Sequence, residues 1–381
     1  MSRDVVVVGI ARTPMARKNR ELAAAHPIDM LAAVFHSVIE RSRVDPKYVG
    51  DVLVGCVSQL GDQSLNIGRQ ALLTAGLPMV TPAATINMVC GSSQRALQIA
   101  DALIRSGMQR MVMVAGVESM RHNPLDIDQQ LPEGCIGPYP PSYRNIYEPT
   151  HQGEAAERIA DKWEISREEI DAFAARSHQR AYAAIGTLQA EITPVSLQDG
   201  SVISGDTTIR GDASPEVISE LRPVFRVDGR LSAGSSSQVV DGAAALLLAS
   251  RETAKSFSLP IMATILDHVI LGSDPILMLT GPIYATRALL TKNGVAASAL
   301  DWYEVNEAFA SIPLAWQREL EVSHNRINPN GGAIALGHPL GASGARLVVT
   351  MINGLYQRGG GRGVSTMCVG GGIGTATLLE V

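Results

Sequence analysis

Buried-strand and amphipathic-helix patterns alternate along the first third of the chain. Valines occupy positions 5–8 without interruption, which is typical of a strand covered on both faces. Apolar residues then recur at helical spacing, and further short apolar runs follow. The pattern predicts strands over 4–11, 51–55, 85–90 and 111–115, and helices over 30–39 and 93–106. Strand and helix in turn indicate an α/β fold with parallel strand pairs.

A region with many prolines and a different sequence pattern interrupts this alternation. Residues 119–151 contain six prolines, which indicates a loop-rich segment. Helices are predicted near 153–163 and 167–185, followed by short strands and turns over 188–240, before buried-strand character resumes at 241. We therefore predict an N-terminal half over 1–118 that is completed by about 241–258, an inserted loop domain over 119–240, and a C-terminal half over 259–381.

The alternation of strands and helices that starts near residue 261 repeats the one in the first third of the chain. Asp51 opens a strand after a helix end, and Asp301 does the same in the second series. A Gly-rich turn, a helix and a closing strand come after Ile86 and again after Ile327. Two similar α/β halves are therefore expected to face each other, with ligands at the carboxyl ends of the strands.

Composition and charge narrow the possible ligands. The 381 residues include 32 Lys and Arg against 37 Asp and Glu, a net charge of −5, and no long basic block. This argues against a nucleic acid or an anionic membrane as the main partner, so an anionic ligand would be bound locally. No apolar run reaches about 18 residues, and no membrane-spanning helix is expected. The four cysteines lack disulfide-framework or zinc-site spacing, which favours a reducing, cytoplasmic compartment and no metal.

Cys90 is a candidate nucleophile because it stands where a strand gives way to a helix. Free amides and the positive end of the helix dipole are expected to lower the pKa of a thiol at such a place. The alternative is that Cys90 is a buried, inert cysteine, which is the commoner role of a free thiol.

A histidine and a second cysteine complete a possible catalytic set. His338 lies in a turn with several glycines on both sides, and a positioned imidazole can activate a thiol. Cys368 ends a predicted strand just before three glycines, where it could serve as a second acid or base. Asn306 follows another predicted strand and either holds an oxyanion or caps a helix.

Five motifs in this order resemble the thiolase family, the acyl-CoA C-acyltransferases, and the resemblance runs from Val5 to the C-terminus. They are Asn-x-x-Cys-Gly-Ser at 87–92, Asp-Gly-Ala-Ala at 241–244, Asn-Glu-Ala-Phe at 306–309, Gly-His-Pro at 337–339 and Cys-x-Gly-Gly-Gly at 368–372. The resemblance implies a five-layered α-β-α-β-α fold of two duplicated halves with an inserted loop domain that binds coenzyme A. It also implies a homodimer or homotetramer.

The implied reaction is thiolytic cleavage of a 3-oxoacyl-CoA by CoA, with release of acetyl-CoA, or the reverse Claisen condensation. By the resemblance, Cys90 carries the acyl group, His338 is its base, and Cys368 moves the proton of the acetyl α-carbon. Asn306, through a water, and His338 would bind one thioester oxygen, and the amides of Cys90 and Gly370 the other. CoA and acyl-CoA are implied as substrates, with no permanently bound cofactor. The implied CoA contacts are His151, Arg210, Ser237, Met278 and Phe309.

Departures from the family pattern concern substrate choice. Ser93 and Ser235 replace a glycine and an asparagine that are frequent in the family, and Gln152 stands where short-chain biosynthetic members usually have methionine. We therefore expect a degradative enzyme of fatty-acid or related acyl chains. The alternatives are a biosynthetic acetoacetyl-CoA thiolase, a decarboxylating condensing enzyme of the ketosynthase group, and a non-catalytic acyl-CoA or lipid carrier.

Overall fold

Alternating strands and helices build the described part of the chain, which comprises residues 4–17, 20–125, 127 and 134–381 of a computed structural model. The strands are β1 Val5–Arg12, β2 Ala16–Arg17, β3 Asp51–Gly55, β4 Ala83–Ile86, β5 Met111–Ser119, β6 Val195–Ser196, β7 Val202–Ile203, β8 Val240–Ser250, β9 Ala263–Gly272, β10 Trp302–Val305, β11 Arg362–Val369 and β12 Ile373–Glu380. The helices are α1 Pro27–Ser42, α2 Ile67–Thr74, α3 Ser92–Arg105, α4 Pro141–Arg144, α5 Gln152–Lys162, α6 Arg167–Ala183, α7 Ile185–Gln189, α8 Pro215–Ser219, α9 Arg251–Ser256, α10 Gly281–Asn293, α11 Ser311–Leu320, α12 Ala333–Leu336 and α13 Leu340–Gln357.

The long strands join edge to edge in the order β10-β11-β12-β9-β1-β8-β5-β3-β4. Strand β3 pairs in parallel with β4 and β5, and β10 pairs in parallel with β11. Tyr303 of β10 also makes a parallel bridge with Ile327, which repeats the β3–β4 pairing in the second half. The pairs among β5, β8, β1, β9, β12 and β11 are antiparallel, so the parallel arrangement predicted from the alternation holds only for the βαβ portions.

Three large apolar cores among the described residues separate the layers. The middle core joins α3 and α13 to both groups of strands, through residues such as Leu97, Val348 and Ile265. The outer cores contain α1 and α2 on one side and α10 and α11 on the other. Helix α13 is buried on nearly all sides because most of its residues are apolar or small, apart from the buried polar side chains of Arg346 and Asn353. This arrangement confirms the predicted α/β class with two strand halves around a central helix layer.

The insert begins with a long loop. The predicted proline-rich stretch 119–151 includes residues 126 and 128–133, which lie outside the described residues. Helices α5 and α6 match the predicted ones within a few residues, and β6, β7, α7 and α8 are short. The domain boundaries at 119 and 240 stay a prediction. None of the helices in the described ranges combines the length and apolar character needed to cross a bilayer.

Candidate active site

Cys90 lies in a strained turn between β4 and α3. Strand β4 ends at Ile86, so the predicted strand over 85–90 is too long. Val89 has a positive φ of 45°, which is rare for a β-branched residue, and Ser92 Oγ both accepts from the Met88 N–H at 2.9 Å and donates to the Val89 carbonyl at 2.6 Å. Strain of this kind persists only where the surroundings enforce it, and it is common at functional sites.

The Cys90 thiol is 2% exposed, and burial dominates its electrostatics. Burial raises the pKa of Cys90 to about 12, opposed by hydrogen bonds from the backbone N–H groups of Gly370 and of Cys90 itself and reinforced by the charge of Glu118. The sequence-based expectation of a lowered pKa is therefore wrong, because removal from water outweighs the amides at the helix end. Cys90 is protonated at neutral pH and needs a base to act as a nucleophile.

Cys368 lies in β11 opposite Gly374 of β12, and it is 1% exposed. Burial and then the proximity of Cys90 raise the pKa of Cys368. The two thiols therefore share one buried environment. The turn that follows β11 requires glycine, since Gly371 and Gly372 have φ values of 84° and 83°.

The imidazole of His338 is held in one tautomer. Ser343 Oγ donates to the Pro339 carbonyl at 2.9 Å, so it accepts from the His338 Nδ1–H at 2.5 Å. The Nε2 lone pair then faces Asn306, whose Nδ2 lies 3.4 Å away. Burial, and then the charge of Arg346, lowers the pKa of His338 to about 3. The ring is therefore neutral at pH 7, with an unprotonated Nε2 that can accept a proton.

Asn306 connects the histidine to the strand that carries Cys368. The Asn306 N–H donates to the Thr366 carbonyl at 3.0 Å, two residues before Cys368 on β11. The Asn306 side chain is fully buried, and its Oδ1 has no partner among the described residues. A buried amide oxygen of this kind is available to bind a water or a ligand donor.

A buried carboxylate, Glu307, holds the loop that leads to His338. It accepts hydrogen bonds from Ser177 Oγ at 2.6 Å, Asn328 Nδ2 at 2.7 Å and the Ile334 N–H at 3.1 Å. Burial raises the pKa of Glu307, and these hydrogen bonds oppose that shift. The sequence motif contained Glu307, but its role requires contacts with the insert and with the glycine-rich loop.

Glu118 was missed by the sequence analysis. At the end of β5 it accepts from the Val57 N–H at 3.0 Å, the Ser58 N–H at 3.1 Å and the Gly341 N–H at 2.8 Å. It thereby ties the loop after β3 to the start of α13, just beyond His338. A charged residue at the end of an otherwise apolar strand was the available signal.

Three of the five predicted CoA contacts lie close together. The Phe309 ring packs edge-on against Phe225 with centroids 5.4 Å apart, and Phe225 lies 6.0 Å from the ring of His151. The Ser237 N–H donates to the carbonyl of Ala308, the neighbour of Phe309, at 2.9 Å.

The other two predicted CoA contacts, Met278 and Arg210, differ in burial. Met278 is buried in the same apolar core as Phe309 and Cys368. Arg210 is exposed, and its guanidinium makes no hydrogen bond to any described residue.

Comparison with known proteins agrees with the motifs. Residues 5–252 match the thiolase N-terminal domain, and residues 259–381 match the thiolase C-terminal domain. The chain is 39% identical to a steroid 3-ketoacyl-CoA thiolase of Mycobacterium tuberculosis, over 99% of this chain and 94% of that protein. It is 40% identical to a beta-ketoadipyl-CoA thiolase of Pseudomonas knackmussii over the full length of both. The crystal structure of the Bacillus anthracis acetyl-CoA acetyltransferase superposes with a TM-score of 0.90 at 34% identity, covering 100% of this chain and 99% of that one.

Proposed function

Since the chain belongs to the thiolase family and is therefore an acyltransferase that acts on CoA thioesters, we propose that it cleaves 3-oxoacyl-CoA through an acyl-cysteine intermediate. Acetyl-CoA and an acyl-CoA shortened by two carbons would be the products. The relatives are named as steroid 3-ketoacyl-CoA thiolase, acetyl-CoA acetyltransferase and beta-ketoadipyl-CoA thiolase, so their names do not select one acyl chain.

In the proposed reaction, His338 Nε2 takes the proton of the Cys90 thiol as the sulfur attacks the 3-oxo carbon. The oxygen of that carbon becomes negative and accepts hydrogen bonds from the N–H groups of Cys90 and Gly370. Collapse of this adduct breaks the bond between carbons 2 and 3, and the electron pair forms the enolate of acetyl-CoA. Cys368 gives its proton to the enolate carbon, and acetyl-CoA leaves.

The second half of the reaction returns the enzyme to its resting state. The thiol of free CoA loses its proton to Cys368 and attacks the acyl group on Cys90. The Cys90 sulfur leaves and recovers its proton from His338, so both cysteines end as thiols. The reverse sequence is the Claisen condensation.

The enolate oxygen needs its own donors. We assign this role to Asn306, through a water, and to the Nε2–H that His338 carries after deprotonating Cys90. Preorganised donors of this kind typically contribute about 3–4 kcal/mol each to the stability of a transition state.

The observation that carries the proposal is that both thiols and a neutral imidazole are buried, with Asn306 connecting the imidazole to the strand of Cys368. The backbone N–H of Gly370 opposes the rise in the pKa of Cys90, and the proximity of Cys90 raises the pKa of Cys368. Asn306 links His338 to β11. Because burial favours the neutral thiol and the neutral imidazole, proton transfer between them must accompany the attack on the substrate.

Coenzyme A would enter beside the insert, where His151, Ser237, Met278 and Phe309 are proposed to contact it. Arg210 is retained only as a surface contact to the nucleotide. We propose a degradative direction in fatty-acid or related acyl-chain metabolism, and a homodimer or homotetramer. We also propose a cytoplasmic location, because acyl transfer through Cys90 requires a reduced thiol.

Three cysteine variants test the proposal. Cys90→Ala is expected to give no acyl-enzyme on mass spectrometry after addition of a 3-oxoacyl-CoA. Cys368→Ala is expected to accept an acetyl group from acetyl-CoA but to fail in cleaving or forming the carbon–carbon bond. Cys135→Ala is the control, because Cys135 is exposed and free. Acylation of the Cys90→Ala variant would refute the assignment of the nucleophile.

A further inference from the structure

Two consecutive polar residues connect the helix that follows Cys90 to the elements that support His338 and Cys368. Ser93 and Gln94 lie in the first turn of α3, and both are fully buried. Polar side chains at this depth lower the stability of a protein unless they are hydrogen-bonded, so their partners indicate what they do.

Ser93 joins α3 to α13. Its Oγ accepts a hydrogen bond from the Ala345 N–H at 2.9 Å. Ala345 lies two residues after Ser343, whose Oγ is the acceptor for the His338 Nδ1–H. Ser93, which the family pattern led us to connect with substrate choice, therefore has its hydroxyl on the helix that orients the imidazole of His338.

Gln94 joins the same helix to the strand of Cys368. Its Nε2 donates to the Ser365 carbonyl of β11 at 3.1 Å and to Thr377 Oγ1 of β12 at 3.2 Å. Ser365 precedes Cys368 by three residues, which is about 10 Å along a strand. Strands β11 and β12 are paired along their whole length, so Gln94 holds α3 to a rigid pair of strands near Cys368.

Glycines let the backbone of these two residues pack directly on its neighbours. A β-carbon on Gly55 would lie 2.3 Å from the Ser93 nitrogen, and one on Gly344 would lie 2.4 Å from the Gln94 nitrogen. Such contacts keep the elements close together, but they change little when one element slides along another, because apolar contact is non-directional. A hydrogen bond depends on both distance and angle. The hydrogen bonds of Ser93 and Gln94 therefore fix the position of α3 along its neighbours.

We propose, building on the acyl-cysteine reaction above, that Ser93 and Gln94 are positioning residues with separate roles. Ser93 holds Cys90 in place relative to His338, which takes the thiol proton during acylation. Gln94 holds Cys90 in place relative to Cys368, which gives a proton to the enolate carbon when the carbon–carbon bond breaks. A misplacement of about 1 Å can slow a reaction by about 100-fold, so a smaller shift of one element is measurable.

The two roles predict different effects on two measurable reactions. Acetylation of the enzyme by acetyl-CoA, with release of CoA, requires Cys90 and His338 but not Cys368. Cleavage of a 3-oxoacyl-CoA by CoA requires all three residues. Rapid quenching followed by mass spectrometry gives the rate of acetylation, and loss of the 3-oxoacyl-CoA absorbance gives the rate of cleavage.

The test compares Ser93→Ala with Gln94→Met, using acetyl-CoA for acetylation and acetoacetyl-CoA and 3-oxooctanoyl-CoA for cleavage. Ser93→Ala removes the hydroxyl and keeps the β-carbon, and it is expected to slow both acetylation and cleavage by about tenfold. Gln94→Met removes the amide donor and nearly keeps the length of the side chain. It is expected to slow cleavage by about tenfold and to keep acetylation within about twofold of the wild-type rate.

Ser250→Ala is the control for a general loss of stability. Ser250 is also buried, and its Oγ accepts from the Thr253 N–H at 3.1 Å. It ends β8 about 33 Å along the strand from Val240, which packs on Gly337 in the histidine turn. The variant is expected to lower the free energy of unfolding, as Ser93→Ala does, and to keep both wild-type rates.

The outcomes separate this inference from the proposed function. If the wild type neither takes an acetyl group from acetyl-CoA nor cleaves either 3-oxoacyl-CoA, the thiolase function itself fails. If the wild type is active but Ser93→Ala or Gln94→Met keeps both wild-type rates, the positioning roles are overturned. They are also overturned if the two variants slow acetylation and cleavage in the same proportion, or if Ser250→Ala slows both reactions equally. Slow acetylation in Ser93→Ala alone, with slow cleavage in both variants, supports them.

Discussion

Replacing Ser343 with alanine would test how the site makes a base from a buried histidine. Ser343 Oγ is the acceptor for His338 Nδ1–H, because its own proton is donated to the Pro339 carbonyl. Without this acceptor, the imidazole either keeps an unpaired Nδ1–H or moves the proton to Nε2. The second tautomer points an N–H toward Asn306 and cannot accept the thiol proton.

The size of the effect follows from the burial of both groups. His338 is 4% exposed and Ser343 is fully buried, so water does not readily replace the lost acceptor. A buried donor left without a partner costs about 1–3 kcal/mol. Each 1.36 kcal/mol added to a barrier slows the step tenfold, so acylation of Cys90 is expected to slow by about 5- to 150-fold.

The rate of acyl-enzyme formation is the quantity to measure. Rapid mixing with a 3-oxoacyl-CoA, quenching and mass spectrometry give this rate without interference from later steps. Nitrogen NMR of the imidazole gives the tautomer directly, since the protonated and unprotonated ring nitrogens have distinct chemical shifts. A purely structural role of Ser343 would change the melting temperature but not the tautomer.

Ser365→Ala is a matched control. Ser365 is also fully buried, and its Oγ has no partner among the described residues, so the change removes a hydroxyl but no hydrogen bond. It is expected to acylate at close to the wild-type rate. If Ser343→Ala forms the acyl-enzyme at the wild-type rate and keeps the Nδ1–H tautomer of His338, the reasoning is refuted.

Two further predictions concern stability. Gly116→Ala places a β-carbon 2.3 Å from the Gly341 carbonyl oxygen, so it is expected to lower the free energy of unfolding, measured by urea titration, by about 1–3 kcal/mol. Gly186→Ala is the control at a helical site with nothing within 4 Å of the new β-carbon, and it should raise the free energy of unfolding by about 0.5–1 kcal/mol. Equal changes in the two variants would contradict the packing argument. Burial lowers the pKa of His268 to about 3, so between pH 6.5 and pH 3 only the unfolded chain gains a proton on this histidine. The contribution of His268 to the free energy of unfolding is therefore fully present above pH 6.5 and is lost as the pH falls toward 3. When the pH falls from 7 to 5, the free energy of unfolding of His268→Gln, measured by chemical denaturation, should therefore decrease by about 2 kcal/mol less than that of the wild type. If both proteins lose the same free energy of unfolding, His268 is not the cause of the pH dependence.

Sequence patterns predicted the class of fold and most of its elements. Helices α3, α5 and α6 lie close to the predicted ranges, because their apolar spacing and their caps are local properties. The predicted strand through Cys90 was wrong. The turn that replaces it depends on a positive φ at Val89 and on a hydroxyl three residues later, which hydropathy cannot show.

The sequence by itself determined the alternation of strands and helices, the repeat of two halves, and the residue types and order of the motifs. These follow from local periodicity and from side-chain chemistry. Only the tertiary structure decided the protonation of the site, because burial of Cys90 and His338 outweighs the local amides and charges. It also decided which distant groups support the site, such as Glu307 and Glu118. Their roles arise from contacts between segments more than a hundred residues apart, which no local pattern records.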